Sequence, residues 1–497
     1  MLLKYAAGDM GDLAADSTVL FVPQFEKISG RTLKRLDEAS SGAVTTLLKS
    51  AEFTGKEGEI AAVYHPHGFK SDRVILVGLG ERKSLTADSF RRAAGNVSRF
   101  KGLTSSKKAV FHFEKVEREE YFQAAVEGCV LGSYRMLQFK TGEDRKNTDR
   151  LAEITCAVDS PRLVGRLKKA AERGRIFAEG QVLVRDLAST PSNHLTPRLL
   201  AARAQNLAKK HGFSCRVLDE KAIAKEKMGA FLAVARGAKE PPRFIILEYR
   251  GAPAGRRPVV LVGKGITFDT GGISLKPSLD MHEMKSDMSG AANVLATVVN
   301  AARLKIPQNV VGLIPATENM PSGTATKPGD IVTSRKGLTV EITNTDAEGR
   351  LILADGLDYA SKFKPQAVID IATLTGAALI VLGYSGAPIM GNHPGLLKRI
   401  KQAADATSEK VWEMPLWDDY RERKKSTIAD LVNSFGRPAG TIMAGIFLES
   451  FIGDYPWAHV DIASVDLERS GKPYTPKGST GFGARLLTQV LYRWKKL

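Results

Sequence analysis

Short apolar runs recur between residues 244 and 372: FIILEY (244–249), PVVLVG (258–263), VVGLIPA (310–316), LTVEI (338–342) and AVIDIA (367–372), separated by stretches of helical length. Runs with so little polar alternation suit strands buried on both faces, which predicts a mainly parallel sheet covered by helices. In open α/β sheets the loops that follow the strands gather at one edge, and ligands bind there.

Upstream, VLFVP (19–23), RVILVGLG (73–80) and AVFHF (109–113) alternate with amphipathic stretches at 85–100 and 118–136, a second α/β pattern. Ser160 can cap, and Pro161 can open, a helix running toward Leu187. The fold class is therefore α/β: a smaller N-terminal α/β domain over 1–160, a linking helix over 161–187, and a larger C-terminal α/β domain over 188–497 with a mainly parallel central sheet.

Cys129, Cys156 and Cys215 are odd in number and far apart, which argues against a disulfide framework or a Cys-rich zinc site and for a reducing, cytoplasmic setting. The opening MLLKYAAGDMGD lacks the apolar run of a secretory signal. Residues 367–391 are apolar enough to weigh as a membrane span, but Asp370, several glycines and a proline break them, so they read as a buried strand followed by a glycine-rich loop. No membrane association is expected. The formal net charge of +18 sits in no single tail, so a solvated basic surface is the plain reading and a polyanion-binding face the alternative.

Three segments carry the chemistry. In VGKGITFDTGGISLKP (262–277) an apolar strand ends at Lys264, and Asp269 follows before Gly271 and Gly272, which permit close backbone approach. In EMKSDMSGAANVLATVV (283–299) Asp287 stands just before a helix starting near Ser289. In VEITNTDAEGRLILADGLDYA (340–360) Asp346 and Glu348 are two residues apart, ahead of a helix beginning near Arg350. Side chains at i and i+2 of an extended turn share a face, so both carboxylates can look into one cavity. Four carboxylates, Asp269, Asp287, Asp346 and Glu348, cannot crowd together without sharply raised pKa values, and divalent cations relieve that. A phosphate loop at GKG is disfavoured, because neither the G-x-G-x-x-G spacing nor a Gly-Lys-Ser/Thr ending is present. The eight histidines show no helical ligand spacing, and His282 reads as solvent-facing.

NTDAEGRL (344–351) resembles the signature octapeptide of the leucyl aminopeptidase (cytosol aminopeptidase) family, a group of dinuclear metallopeptidases. GKGITFDTGG and MKSDMSGAA resemble its other metal-site segments, and WAHVDIA (457–463) and STGFGARLL (479–487) resemble the end of its catalytic domain. The first 160 residues resemble its smaller N-terminal domain.

The resemblance implies one metal held by Asp269, Asp346 (side chain and backbone carbonyl) and Glu348, and a second held by Lys264, Asp269, Asp287 and Glu348, with Asp269 and Glu348 bridging. Hard oxygen ligands with few nitrogens leave Mn2+ and Zn2+ both open. Lys264 must then bind as the free amine, and a buried lysine shifts its pKa readily. The resemblance further implies a water bridging the two metals as nucleophile, Lys276 stabilising the oxyanion, and Arg350 holding bicarbonate as general base. Met284, Thr373, Leu374 and Gly376 would line a pocket for a leucine-like side chain. The expected activity is release of the N-terminal residue, leucine favoured, from peptide substrates in the cytoplasm, by a homohexamer with its catalytic domains at the centre. Some bacterial relatives also bind DNA, and the basic charge permits an added accessory or regulatory role of that kind here.

Overall fold

The computed structural model describes residues 2–142, 151–253 and 255–495. The chain divides into two compact units, Met1–Glu179 with Ser470–Lys477, and Gly180–Arg469 with Gly478–Leu497.

The first unit is built on six strands: β1 (Leu2–Ala7), β2 (Ala15–Val22), β3 (Ile60–Tyr64), β4 (Ser71–Gly78), β5 (Lys108–Phe113) and β6 (Glu153–Val158). Their order is β1-β6-β5-β2-β4-β3, parallel except for β3, which runs antiparallel to β4 at the edge. Helices Ala87–Val97 and Glu119–Gly132 occupy the two amphipathic stretches, and their Phe90 and Phe122 join Val19 and Phe111 of the sheet in one apolar core. Arg91 is buried between them and rests on Glu127 at 2.8 Å, so neither charge is left unpaired away from water.

Ser160 makes no side-chain capping bond. Pro161–Leu163 forms one tight turn, and the helix proper runs Val164–Ser189, crossing from the first unit into the second between Glu179 and Gly180.

In the second unit the strands are β7 (Ser214–Leu218), β8 (Arg243–Arg250), β9 (Val259–Gly263), β10 (Gly265–Asp269), β11 (Asn309–Asn319), β12 (Ile331–Thr333), β13 (Thr339–Glu341), β14 (Ala367–Ala372), β15 (Ala387–Gly391), β16 (Val411–Glu413), β17 (Leu431–Val432) and β18 (Trp457–Asp461). The main sheet has the order β16-β15-β18-β14-β9-β11-β8-β7, with β10 also paired to β11. Its middle, β18-β14-β9-β11, is parallel, while β15 on one side and β8 and β7 on the other run antiparallel to their inner neighbours. Every residue of β9 and β14 is buried, which is why those runs show no alternation. Helices Ser289–Arg303 and Gly349–Ala360 pack on this sheet through Leu295, Val298, Leu353 and Leu357.

Three local expectations are corrected. LTVEI does not enter the main sheet: β13 pairs with β12 and β17 in a small separate sheet, and only Val340 is buried between half-buried Thr339 and Glu341, the pattern of a strand with one dry face. Residues 367–391 begin with the expected buried strand, β14, but in place of a loop helix Ala377–Leu382, which ends at Gly383, φ +59°, leads into β15. The chain stays extended past Lys264, where the strand is expected to end, since β10 leaves the β9 line and pairs with β11, with a register shift between Ile266 and Asp269. Among the described residues no helix is long and apolar enough to cross a membrane.

Candidate metal centre

Lys264 sits at the junction where β9 ends beside β14 and β10 begins beside β11. Its backbone is pinned from both sides: the N–H donates to Ile371 O (3.2 Å), and the carbonyl accepts from Ala291 N (2.8 Å) in the first turn of helix Ser289–Arg303. The side chain then runs past Gly349, where a Cβ would lie 2.8–2.9 Å from its Cε, Cδ and Nζ atoms. Only glycine leaves that passage open. The ammonium reaches Asp287 Oδ2 and Glu348 Oε1, each at 2.8 Å, and donates to Thr373 O at 2.9 Å.

Asp269 closes β10. Its Oδ1 accepts from Gly271 N (2.9 Å) and Asn319 Nδ2 (2.8 Å), and its Oδ2 lies 2.9 Å from Lys276 Nζ. Gly271 and Gly272 turn with φ +87° and +67°, and a Cβ on Gly271 would meet Asp346 Oδ1 at 2.9 Å. Lys276 also pairs with Asp346. Asp287 follows the turn Met281–Ser286 and accepts from Thr373 Oγ1 at 2.8 Å. Glu348 immediately precedes helix Gly349–Ala360. Asp269, Asp346 and Glu348 each offer an oxygen within 4.8 Å of the others.

The electrostatics show what the cluster lacks. Four carboxylates face two ammonium groups, and Asp269, Asp287, Glu348 and Lys264 are all buried. Burial, together with the neighbouring carboxylates, raises Asp287 well above the usual carboxylate range and raises Glu348 as well; burial and Asp269 raise Asp346. Glu348 Oε2 is buried with no hydrogen-bond partner among the described residues. A buried acceptor left unpaired in a net-negative pocket fits a cation, and an all-oxygen set with one amine suits a hard or borderline divalent ion. The easy deprotonation expected of Lys264 is corrected: burial alone lowers it, but Asp287, Glu348 and Asp269 outweigh burial and hold it above the ordinary lysine value. An incoming cation must therefore compete for that amine against a bound proton.

The cluster opens into a cavity of about 260 Å³ that is also lined by Met284, Thr373, Leu374 and Gly376, so the proposed ligands, Lys276 and the proposed pocket residues meet at one place. Arg350 is apart from that lining. It is buried on the first turn after Glu348, donates from Nη1 to Asn433 O (2.7 Å), and its Nε has no hydrogen-bond partner among the described residues. Burial draws its guanidinium down to about 10 against the pull of Glu348 and Asp461. His282 is exposed, as expected.

Sequence reasoning missed the groups that hold these residues. Asp461 Oδ1 accepts from Leu374 N (3.1 Å) and Thr375 N (3.4 Å), and Oδ2 accepts from Thr375 Oγ1 (2.6 Å), which fixes the loop after β14. Asn319 bridges Asp269 Oδ1 and Thr345 O (3.1 Å). It also missed Asp466, which lines the cavity. Asp461 lay in plain view in WAHVDIA, but only the pairing of β14 with β18 brings it to the loop.

Residues 182–488 match the family model described as cytosol aminopeptidase family, catalytic domain, and residues 19–143 match that of its N-terminal domain. The chain is 45% identical to a probable cytosol aminopeptidase of Geotalea uraniireducens (strain Rf4), over 93% of this chain and 94% of the relative. It is 42% identical to a probable cytosol aminopeptidase of Geobacter sulfurreducens over 99% of both. A solved structure described as bottromycin maturation enzyme BotP in complex with Mn superposes with a TM-score of 0.85 at 34% identity, covering 96% of this chain and 99% of that one.

Proposed function

The chain belongs to the cytosol aminopeptidase family, whose members are metal-dependent aminopeptidases, and from that premise we propose that its carboxylate cluster holds two divalent ions and that the adjoining cavity receives the N-terminal residue of a peptide. The observation that carries this reading is the convergence of Asp269, Asp346 and Glu348 within 4.8 Å of one another beside an open cavity. Lys264 and Asp287 complete one side of the ligand set, and Glu348 Oε2 is the acceptor left for a cation. Mn2+ or Zn2+ held there supplies, when bound, Lewis acidity toward the scissile carbonyl and a water acidified toward neutral pH.

The chain's own residues do the rest. The acidic cluster of Asp269, Asp287, Asp346 and Glu348 would receive a free α-amino group, which limits cleavage to the first residue. Lys276, half-buried at the cavity, donates to the carbonyl oxygen as negative charge develops on it. Burial would lower the Lys276 ammonium, but Asp269, Glu348 and Asp346 hold it above the ordinary value, so it stays a donor through the neutral range. Arg350, whose buried Nε has no hydrogen-bond partner among the described residues, would hold a small oxyanion such as bicarbonate, which would supply the chemistry of a base. Met284, Leu374 and Leu379 give the cavity an aliphatic wall that accepts a leucine side chain.

The proposed assembly is a homohexamer. Trp412, Trp417, Ile380 and Ile428 of the second unit are exposed large apolar side chains, the kind of surface that subunit contacts cover. A sedimentation mass of six 53.8 kDa chains is expected, and a monomer or dimer would overturn it. The proposed site of action is the cytoplasm, in line with the names of the relatives as cytosol aminopeptidases. The activity is tested with purified protein and leucine p-nitroanilide: hydrolysis dependent on Mn2+ or Zn2+ and abolished by EDTA supports the reading, and an intact substrate refutes it.

A further inference from the structure

The lining of the cavity carries a group that the hydrolytic chemistry does not use. Asp466 follows β18, is 8% exposed, and lines the same cavity as the metal cluster. Its Oδ2 accepts from Ser286 Oγ at 3.0 Å, and among the described residues it forms no ion pair with any lysine, arginine or histidine. Arg469, which also lines the cavity, pairs with Glu283 at 3.1 Å and with Asp280 at 3.8 Å. Burial, reinforced by Glu283 and opposed by Lys264, pushes the Asp466 carboxyl up to about 7. A carboxyl so placed lacks a charge partner that the fold itself does not supply.

The cavity lining that this carboxyl shares with the metal cluster also includes Met284, Leu374 and Leu379. An aliphatic stem that ends in a cation therefore finds both apolar walls and an acid in this one cavity. We propose that Asp466 sets the specificity of this pocket for N-terminal residues whose aliphatic stem ends in a cation, lysine or arginine, with leucine accepted more weakly. The proposal rests on the aminopeptidase reading and names its substrate class. A leucine side chain would cover Asp466 without offering it a donor, whereas an ammonium or guanidinium pairs with it. Sites built to bond a charged group discriminate strongly against an analogue that lacks one.

The test compares wild type, Asp466→Asn and Asp466→Leu, all loaded with Mn2+, on lysine p-nitroanilide and leucine p-nitroanilide. Calorimetry on the same proteins compares L-lysinol with L-leucinol, which keep the α-amine and have no scissile carbonyl. The expected result is a lysine-to-leucine ratio of kcat/KM above one in wild type, falling by about ten- to a hundredfold in Asp466→Leu. Lysinol should bind more tightly than leucinol to wild type and lose that advantage in both variants. Asp466→Asn keeps the shape and the bond from Ser286, so a folding defect in the leucine variant leaves the question answerable. A wild type that favours leucine in both measurements, or ratios unmoved in both variants, overturns the proposal. Failure of the aminopeptidase reading looks different: neither anilide is cleaved by wild type, and the two amino alcohols still decide what the pocket prefers.

Discussion

Glu348 takes the Lys264 ammonium on Oε1 at 2.8 Å while its buried Oε2 has no hydrogen-bond partner among the described residues. The two oxygens thus have separate tasks, one orienting the lysine and the other open to a cation. Glu348→Gln keeps the shape and removes the charge. In metal-free protein the substitution should leave Tm unchanged or raise it, because burial and Asp269 both disfavour that charge. The upward Tm shift given by saturating Mn2+ or Zn2+ should be lost, since that shift measures binding to the folded state, and kcat/KM should fall by at least about a hundredfold. Thermal melts with and without metal read both signs, and an undiminished metal shift in the variant would remove Glu348 from the ligand set.

Lys276 stands between Asp269 and Asp346 but belongs to the cavity wall, so its loss should separate catalysis from metal binding. Lys276→Met is expected to lower kcat by about 10²–10³-fold, the usual effect of removing one oxyanion donor. KM and the metal-induced Tm shift should change little. Steady-state kinetics on the Mn2+-loaded variant decide this, and a rise in KM with kcat intact would make Lys276 a binding residue only.

How much of this was legible depends on how local each interaction is. NTDAEGRL could be read because Asp346, Glu348 and Gly349 act within one turn, and the parallel core could be read because β9 and β14 lack a wet face. LTVEI was too short to tell a two-sided strand from a one-sided one, and only its pairing with β12 and β17 decides. The direction of the Lys264 shift depends on three carboxylates from three separate segments, which no local pattern counts. Asp461 and Asp466 act on residues brought to them by β18 and the turn Met281–Ser286, contacts with no sequence signature.

Asp461 shows what such a distant contact is worth. It accepts from two backbone N–H groups and one hydroxyl of the loop whose Thr373 carbonyl holds Lys264. Asp461→Ala leaves those donors without a buried acceptor, a loss of roughly 1–3 kcal/mol for each donor stranded away from water. The variant should melt several degrees lower and lose about tenfold or more in kcat/KM, from an interaction that touches neither substrate nor metal. A variant with wild-type kinetics at a lowered Tm would confine Asp461 to stability.

Asp355, in helix Gly349–Ala360, is fully buried and accepts from Phe231 N (2.8 Å) and Arg335 N (2.7 Å). Burial outweighs those bonds and raises its carboxyl to about 7. An unfolded aspartate loses its proton near pH 4, so between that value and about 7 the folded state binds the extra proton. Stability from this group is therefore fully present below about pH 4 and is lost as pH rises through about 7, a change on the order of a few kcal/mol. Asp355→Asn removes the titration while keeping one acceptor. The difference in Tm between wild type and variant should shift against wild type as pH goes from 5 to 8. Asp466 titrates in the same range in both proteins and cancels from that difference. A difference that stays flat over the interval would mean that the two backbone donors hold Asp355 ionised throughout.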